Sequence, residues 1–161
     1  MAGIRIGVVT ASDSCHAGDR QDTAGLALAA LCEERGWTVC SYHVCPDDAE
    51  AIGTSLIELC DVEDADVVLT CGGTGFGPRD VTPEATTAIC ERPAPGMAEI
   101  IRAESYRVTP RAMLSRGVAG IRGTTLIINL PGSEKAARET FGFVADQLEY
   151  AVEMMGGGGH D

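Results

Sequence analysis

Residues 67–83 read VVLTCGGTGFGPRDVTP, and this stretch passes through three kinds of local structure within a few residues. Val67–Thr70 predicts a short buried strand, since its residues are mostly apolar and β-branched. The glycine-rich segment after it predicts a loop, and Thr82 with Pro83 predicts an N-cap and a first-turn proline that open a helix. A strand that leads through a loop into a helix is the building unit of α/β proteins.

Strand-like and helix-like segments alternate on both sides of this stretch. The predicted strands are Ile4–Thr10, Thr38–Val44, Val67–Thr70 and Thr125–Asn129. The predicted helices are Thr23–Glu34, one through Ile52 and Leu59, one from Thr82, one over Met97–Glu104, and one carrying an apolar stripe from Ala137 to Met155. This alternation predicts an α/β fold with a largely parallel sheet.

The length of 161 residues favours a single domain, which we place at residues 1–155. The glycine run that follows predicts a flexible tail over residues 156–161. No apolar stretch is long enough to cross a membrane, and the N-terminus lacks the layout of a signal peptide, so we expect a cytoplasmic protein. The seven cysteines form no CxxC pair and are odd in number, which favours reduced thiols in the core.

The formal net charge is −12, which disfavours binding to nucleic acid. The basic residues are nevertheless concentrated in one part of the chain. Between Arg79 and Arg122 there are seven arginines and five acidic residues, so the local balance is +2. An anionic ligand could bind in this region despite the overall sign, although solvated helix faces explain any single arginine equally well.

The loop after the strand at Val67–Thr70 carries the most specific chemistry. Gly72, Gly73, Thr74 and Gly75 form a segment whose backbone N–H groups can approach phosphate oxygens closely. The guanidinium of Arg79 would bind phosphate oxygens through two of its N–H groups. Asp80 could hold Mg²⁺, a hard ion that prefers carboxylate and phosphate oxygens. A purely structural glycine turn would not need this adjacent pair.

Three other loops follow predicted strands, where ligands of α/β sheets bind. Ser12 and Asp13 could contact a nucleotide or simply form local turns. Asp47 with Glu50 resembles a capping box, which from this segment alone is the stronger interpretation. The turn at 131–133, Pro131-Gly132-Ser133, could bind an anion at the start of the last helix, or Ser133 could be an ordinary N-cap.

Two nucleotide-binding classes lack their motifs. A GxxxxGK[ST] motif is absent and the chain has one lysine, Lys135, which excludes a P-loop NTPase. GxGxxG is absent as well, which disfavours a dinucleotide oxidoreductase. A cysteine hydrolase would depend on Cys15 and His16 alone, and neighbouring side chains on a loop rarely face each other.

Five segments in order give the chain a family resemblance. They are TASDSC (10–15), TCGGTGFGPRDVTPEA (70–85), PGM (95–97), TPRAMLSR (109–116) and GIRGTTLIINLPGS (120–133). Together they resemble the molybdopterin adenylyltransferases, which include the bacterial MogA and MoaB type proteins and the G domain of gephyrin. The likeness runs from about Ile4 to Met155. One departure lies at Asp22–Gly25, where members often have serine before the glycine.

The resemblance implies a three-layer α/β/α sandwich, usually a homotrimer, that transfers AMP from Mg-ATP to molybdopterin and releases pyrophosphate. It implies that Asp47 and Asp80 are the essential aspartates and Mg²⁺ ligands. Nucleotide contacts would come from the Gly72–Gly75 loop, Ser12, Asp13 and Arg79. Molybdopterin contacts would come from Ser115, Pro131, Gly132 and Ser133.

The resemblance leaves two rivals within the same fold. One is a non-catalytic trimer that binds molybdopterin or serves as a scaffold, and the other is an enzyme with different chemistry, such as the molybdenum-insertion or competence-induced proteins. The presence of both aspartates favours an active enzyme, whose downstream partner would be a molybdenum insertase.

Overall fold

A six-stranded sheet forms the centre of the computed structural model, which describes residues 3–158. Its strand order is β2-β1-β3-β6-β5-β4. The strands are β1 (Arg5–Ala11), β2 (Thr38–Cys45), β3 (Val67–Cys71), β4 (Arg92–Pro93), β5 (Ala119–Arg122) and β6 (Thr125–Leu130). Strands β2, β1, β3 and β6 are parallel, whereas β5 pairs antiparallel with both β6 and β4. The predicted largely parallel sheet is therefore confirmed.

Six α-helices and one 3₁₀ turn accompany the strands within residues 3–158. They are α1 (Asp13–His16), α2 (Thr23–Glu34), α3 (Ala49–Asp61), α4 (Thr82–Ile89), α5 (Pro95–Val108), the 3₁₀ turn Pro110–Leu114, and α6 (Glu134–Met155). Among residues 3–158, no helix combines the length and the apolar character that a membrane span needs.

The helices cover both faces of the sheet, because successive side chains of a strand point to opposite sides. Leu69 of β3 packs with residues of α2, α5 and α6 in one apolar cluster, whereas its neighbour Val68 packs with residues of α3 and α4 in a second cluster. All five residues of β3 are buried. This arrangement is the predicted three-layer sandwich.

The two antiparallel strands β4 and β5 were not predicted. Both are short, and β4 has only two residues, so neither carries enough alternation to be recognised from the sequence. The prediction that Thr82 caps a helix is also wrong. Helix α4 begins at Thr82, its N-cap is Val81 without a side-chain cap, and the Thr82 side chain is fully buried.

The predicted free cysteines are confirmed: all seven are unpaired, and four of them are buried. Burial raises the pKa of the thiols of Cys32 and Cys71 to about 12 in each case. At the C-terminus, Gly156–Gly158 donate hydrogen bonds to the last turn of α6. The rest of the predicted tail, residues 159–161, lies outside the described residues.

Candidate functional site

Three parallel strands of the sheet end level with one another. Thr10 of β1 pairs with Cys71 of β3, and Cys71 pairs with Leu130 of β6. The loops that leave these strands therefore meet at one edge of the sheet, as expected for an α/β fold. Two cavities open at this edge, and the loops after β3 and β6 contribute walls to both.

The glycine loop after β3 can adopt its conformation only with glycine at two positions. Gly72 has φ of +96° and Gly73 has φ of +70°, both in the region that L-residues rarely adopt. A side chain on Gly72 would also overlap the carbonyl oxygen of Ala11. Gly132 makes a close backbone contact in turn, since a methyl group there would lie 3.1 Å from the Gly72 Cα.

The first cavity has a volume of about 310 Å³ and is lined mainly by polar groups. Three carboxylates line it, those of Asp22, Asp47 and Asp80. The lining also includes Ser12, Gly72, Gly73, Gly132 and Ser133 from the predicted site residues. We call it the carboxylate cavity. The structure thus brings together the two predicted catalytic aspartates and half of the predicted nucleotide loop.

Asp47 is not the helix cap that its segment suggested. The N-cap of α3 is the next residue, Asp48, whose carboxylate accepts a hydrogen bond from the Ala51 N–H. The Asp47 carboxylate instead accepts a bond of 3.0 Å from the Asp13 N–H. Burial raises the pKa of Asp47, and the nearby charges of Asp13 and Asp80 act in the same direction. The capping interpretation of Asp47 is therefore wrong.

Asp13 and Arg79 bind each other rather than lining the carboxylate cavity. The Arg79 guanidinium donates to both carboxylate oxygens of Asp13, at 3.1 and 3.0 Å. This pairing lowers the pKa of Asp13. The Arg79 guanidinium, predicted to bind phosphate, thus binds Asp13 instead. It neutralises the carboxylate that accepts the hydrogen bond of the Asp47 N–H.

Two buried polar atoms beside the glycine loop have no hydrogen-bond partner among residues 3–158. They are Oδ1 of Asp47 and Oγ1 of Thr82, and a methyl group added to Gly73 would contact both. Buried polar atoms are almost always paired, so an unpaired carboxylate oxygen at a cavity wall favours a ligand there. Sequence reasoning missed Thr82, because it interpreted the residue as a cap.

The carboxylate cavity could hold a hard cation such as Mg²⁺. Asp47 has a free carboxylate oxygen, while one oxygen of Asp80 accepts a bond of 2.9 Å from the Gly77 N–H. Within residues 3–158, no cluster of three or more His, Cys, Asp or Glu side chains is arranged to hold a metal. Asp47 and Asp80 would supply carboxylate oxygens, and phosphate and water oxygens would complete the coordination shell.

Asp22 forms a buried network at the back of the carboxylate cavity. Its carboxylate accepts hydrogen bonds from the hydroxyl groups of Thr10, at 2.6 Å, and Tyr42, and from the Gly25 N–H at 2.9 Å. Burial and the contact with Asp22 raise the pKa of the Tyr42 phenol. Nothing in the sequence indicated this network, because Tyr42 lies on a separate strand.

The second cavity has a volume of about 280 Å³ and is lined mostly by apolar groups. We call it the apolar cavity. It lies between α5, the turn after it, and the start of α6. Of the predicted site residues, the ones that line it are Thr74, Gly75, Ser115 and Pro131. The predicted molybdopterin and nucleotide sets are therefore divided between the two cavities differently from the expectation.

The arginines of the basic stretch have separate roles. Arg102 and Arg111 line the apolar cavity and take part in none of the ion pairs found among residues 3–158. Ser105, from α5, lies beside them with a buried hydroxyl that has no hydrogen-bond partner within residues 3–158. The local positive balance pointed to this region, but only the fold shows which residues face the cavity.

Two of the predicted serines also cap helices. The Ser12 hydroxyl accepts a hydrogen bond from the Cys15 N–H at the start of α1, and the Ser133 hydroxyl accepts one from the Ala136 N–H at the start of α6. Both lie at the wall of the carboxylate cavity as well. The N-terminal N–H groups of α6 therefore contribute positive potential close to it.

Comparisons with known proteins show which family the chain resembles. A family model described as a probable molybdopterin binding domain matches residues 7–150. The molybdopterin adenylyltransferase of Helicobacter pylori is 40% identical over 157 residues, which are 96% of this chain and 89% of that protein. The molybdenum cofactor synthesis protein cinnamon of Drosophila melanogaster is 44% identical over 97% of this chain, which spans only 26% of that longer protein.

A solved structure gives the same result for the fold. The crystal structure of the molybdopterin biosynthesis enzyme MoaB from Thermus thermophilus superposes with a TM-score of 0.90 at 45% identity, covering 96% of this chain and 98% of that one. The matched region includes both cavities and the loops that form them. This chain therefore belongs to the molybdopterin-binding domain family, among whose members are the molybdopterin adenylyltransferases.

Proposed function

We propose that this protein is a molybdopterin adenylyltransferase of molybdenum-cofactor synthesis. It would transfer AMP from ATP to the terminal phosphate of molybdopterin, forming adenylyl-molybdopterin and pyrophosphate. The observation that carries the proposal is the pair of cavities, one lined by carboxylates and one apolar with two arginines, that share the loops after β3 and β6. Such a pair suits a polyphosphate on one side and a heterocycle on the other.

In the proposed reaction, a phosphate oxygen of molybdopterin attacks the α-phosphorus of ATP. The bond from the α-phosphorus to the bridging oxygen of the β-phosphate breaks, and pyrophosphate leaves with that electron pair. Transfer at phosphorus depends mainly on alignment and charge neutralisation. The shared loops would bring the two phosphates together, because they border both cavities.

The glycine loop would bind the polyphosphate through its backbone. Gly73, Thr74 and Gly75 donate their N–H groups to no acceptor found among residues 3–158, so these donors are available to phosphate oxygens. Ser133 and the start of α6 would add further positive potential. Asp47 and Asp80 would hold Mg²⁺, which offsets the negative charge of the polyphosphate when it is bound.

The apolar cavity would bind molybdopterin. Its apolar walls would accept the heterocycle, and Arg102 and Arg111 would neutralise the anionic end of the substrate. Ser105 and Ser115 offer hydroxyl groups for hydrogen bonds to ring heteroatoms.

The same proposal includes the cellular context. Family resemblance supports a homotrimer in the cytoplasm that passes its product to a molybdenum insertase. The trimer, the cytoplasmic location and the insertase are inferred from the family resemblance, and not from individual contacts in the structure.

The decisive experiment measures pyrophosphate release with purified protein, ATP, Mg²⁺ and molybdopterin, and then with each component omitted in turn. We expect release only with the complete mixture, together with one adenylyl-molybdopterin per pyrophosphate. A protein that binds molybdopterin but releases no pyrophosphate would be the non-catalytic relative instead.

A further inference from the structure

Arg116 holds the glycine loop from a neighbouring segment of the chain. Its Nε donates to the Gly75 carbonyl at 2.8 Å, and its Nη2 donates to the Asp80 carbonyl at 2.7 Å. Its backbone N–H donates to the Thr74 carbonyl at 2.8 Å. The side chain is 33% exposed, and the carboxylate of Glu84 binds its Nη1 at 2.6 Å.

These contacts lie at both ends of the exposed part of the loop. Between Gly75 and Asp80 the chain has no helix or strand, and Phe76 is 70% exposed. Within this segment, Gly77 and Asp80 form two hydrogen bonds with each other, and the Arg79 side chain pairs outside the segment with Asp13. The Arg116 guanidinium thus binds the carbonyl oxygens of Gly75 and Asp80, the first and last residues of the segment, and we call this pair of contacts the Arg116 clasp. It fixes the backbone from which the Asp80 carboxylate projects.

The position of Arg116 in the chain connects the clasp to the other cavity. Ser115, the preceding residue, lines the apolar cavity, whereas Arg116 does not. Asp80 lines the carboxylate cavity. Two adjacent residues thus border one cavity and hold the loop of the other.

We propose that Arg116 is a positioning residue that sets the location of Asp80 for AMP transfer. This inference rests on the proposed function. The planar fork of arginine is required, because it must bind two carbonyl oxygens and one carboxylate at once, which a lysine ammonium cannot do in the same geometry. Glu84 orients the guanidinium by holding its outer edge.

The test compares Arg116→Gln and Arg116→Lys with a matched control, Arg122→Gln. Arg122 is 25% exposed and likewise binds a backbone carbonyl, that of Ile89, and a carboxylate, that of Asp61, but it touches neither cavity. Amide hydrogen exchange by mass spectrometry is measured over residues 72–82 and over β6 in each protein. Turnover and the KM for molybdopterin are measured alongside.

For both Arg116 variants we expect faster exchange confined to residues 72–82, and a kcat lower by about 10–100-fold, the range typical for partners that orient a functional group. The KM for molybdopterin should change by less than about threefold, because Arg116 does not line the apolar cavity. Arg122→Gln should keep wild-type exchange in this loop and wild-type kcat.

Unchanged exchange over residues 72–82, or a kcat within about twofold of wild type, would overturn the inference, and so would exchange that rises equally across the whole chain. If Arg116→Gln does not fold, Arg116→Lys decides alone. Failure of the proposed function is separate, since wild-type protein would then release no pyrophosphate while the exchange measurement still tests the clasp.

Discussion

Asp13 and Asp47 bind each other through two reciprocal hydrogen bonds, each from the backbone N–H of one to the carboxylate of the other. The bonds measure 3.0 Å from Asp13 to Asp47 and 2.9 Å in the opposite direction. The pKa values of the two carboxyl groups nevertheless shift in opposite directions. Arg79 lowers that of Asp13, whereas burial raises that of Asp47. One carboxylate is thus neutralised by the protein, and the other is left for a ligand.

Asp47→Asn should abolish most activity without destabilising the fold. We expect a loss of at least about a hundredfold in turnover, the scale seen when one electrostatic stabiliser is removed. A raised pKa means that the folded state binds the Asp47 proton more tightly than the unfolded state, so the ionised carboxylate disfavours folding at neutral pH. The melting temperature should therefore stay the same or rise, as measured by calorimetry at pH 7. Asp48→Asn is the matched control, because asparagine caps as well as aspartate does; full activity in Asp47→Asn would return Asp47 to a structural role.

Asp80→Asn should also lower turnover by at least about a hundredfold. Asparagine keeps an oxygen that can accept the Gly77 N–H, so the turn between these residues should persist. Molybdopterin binding, measured by calorimetry, should be unaffected, because Asp80 does not line the apolar cavity. Turnover close to wild type would contradict the assignment of Asp80.

The pH dependence of Asp47 can be measured directly. Its carboxyl carbon, followed by NMR in labelled protein, should titrate above the ordinary value of 3.8, whereas that of Asp13 should titrate below it. The stability that Asp13 contributes through Arg79 should be lost as the pH falls through its lowered pKa. Arg79→Gln should bring the Asp13 titration back towards the ordinary value; an Asp13 titration that does not move in this variant would contradict the pairing.

Nucleotide turnover should require a divalent cation. Three carboxylates line the cavity proposed for ATP, in a chain of formal charge −12, so a polyphosphate without a cation should be repelled. We expect turnover to disappear in EDTA and to return with added Mg²⁺. Calorimetry should show that molybdopterin still binds in EDTA, because the apolar cavity presents its two arginines independently of the metal. Undiminished turnover in EDTA would mean that Asp47 and Asp80 act in another way.

The protein should form a homotrimer in solution. Light scattering at micromolar concentration should give a mass about three times that of the 16.8 kDa chain. A monomeric mass would contradict this expectation.

The parallel strands and their helices could be predicted, because each is long enough to show its period. Asp47 and Asp80 could be placed at one site, since both follow parallel strands and such strands end at a common edge. The residues that line the apolar cavity could not be predicted. Arg102 and Ser105 reach it from a helix whose apolar spacing indicates only packing, and their neighbour across the cavity, Thr140, is far away in the sequence.

The predictions of helix caps from local motifs were wrong where a cap and a residue of the candidate site lie in the same segment. At Asp47 and Asp48 the sequence shows two adjacent aspartates before a helix, and only the backbone geometry decides which of them is the cap. Thr82 before Pro83 matches a cap equally well, but its hydroxyl is buried beside Gly73. Arg79 and Asp13 are 66 residues apart, so no pattern in the sequence could reveal their pairing.

The close contact between Gly72 and Gly132 has a consequence for how the enzyme finishes its cycle. Where the two loops meet, main-chain atoms take the place of side chains, and under the proposed function one molecule would extend from one cavity into the other. The product of the proposed reaction is such a molecule, with an adenosine half and a heterocyclic half joined through phosphates. Tethering makes each half raise the effective concentration of the other, so the product should be held more tightly than either substrate. Release of the product, rather than bond formation, would then limit the turnover of the isolated protein. An acceptor that takes the product directly would accelerate turnover.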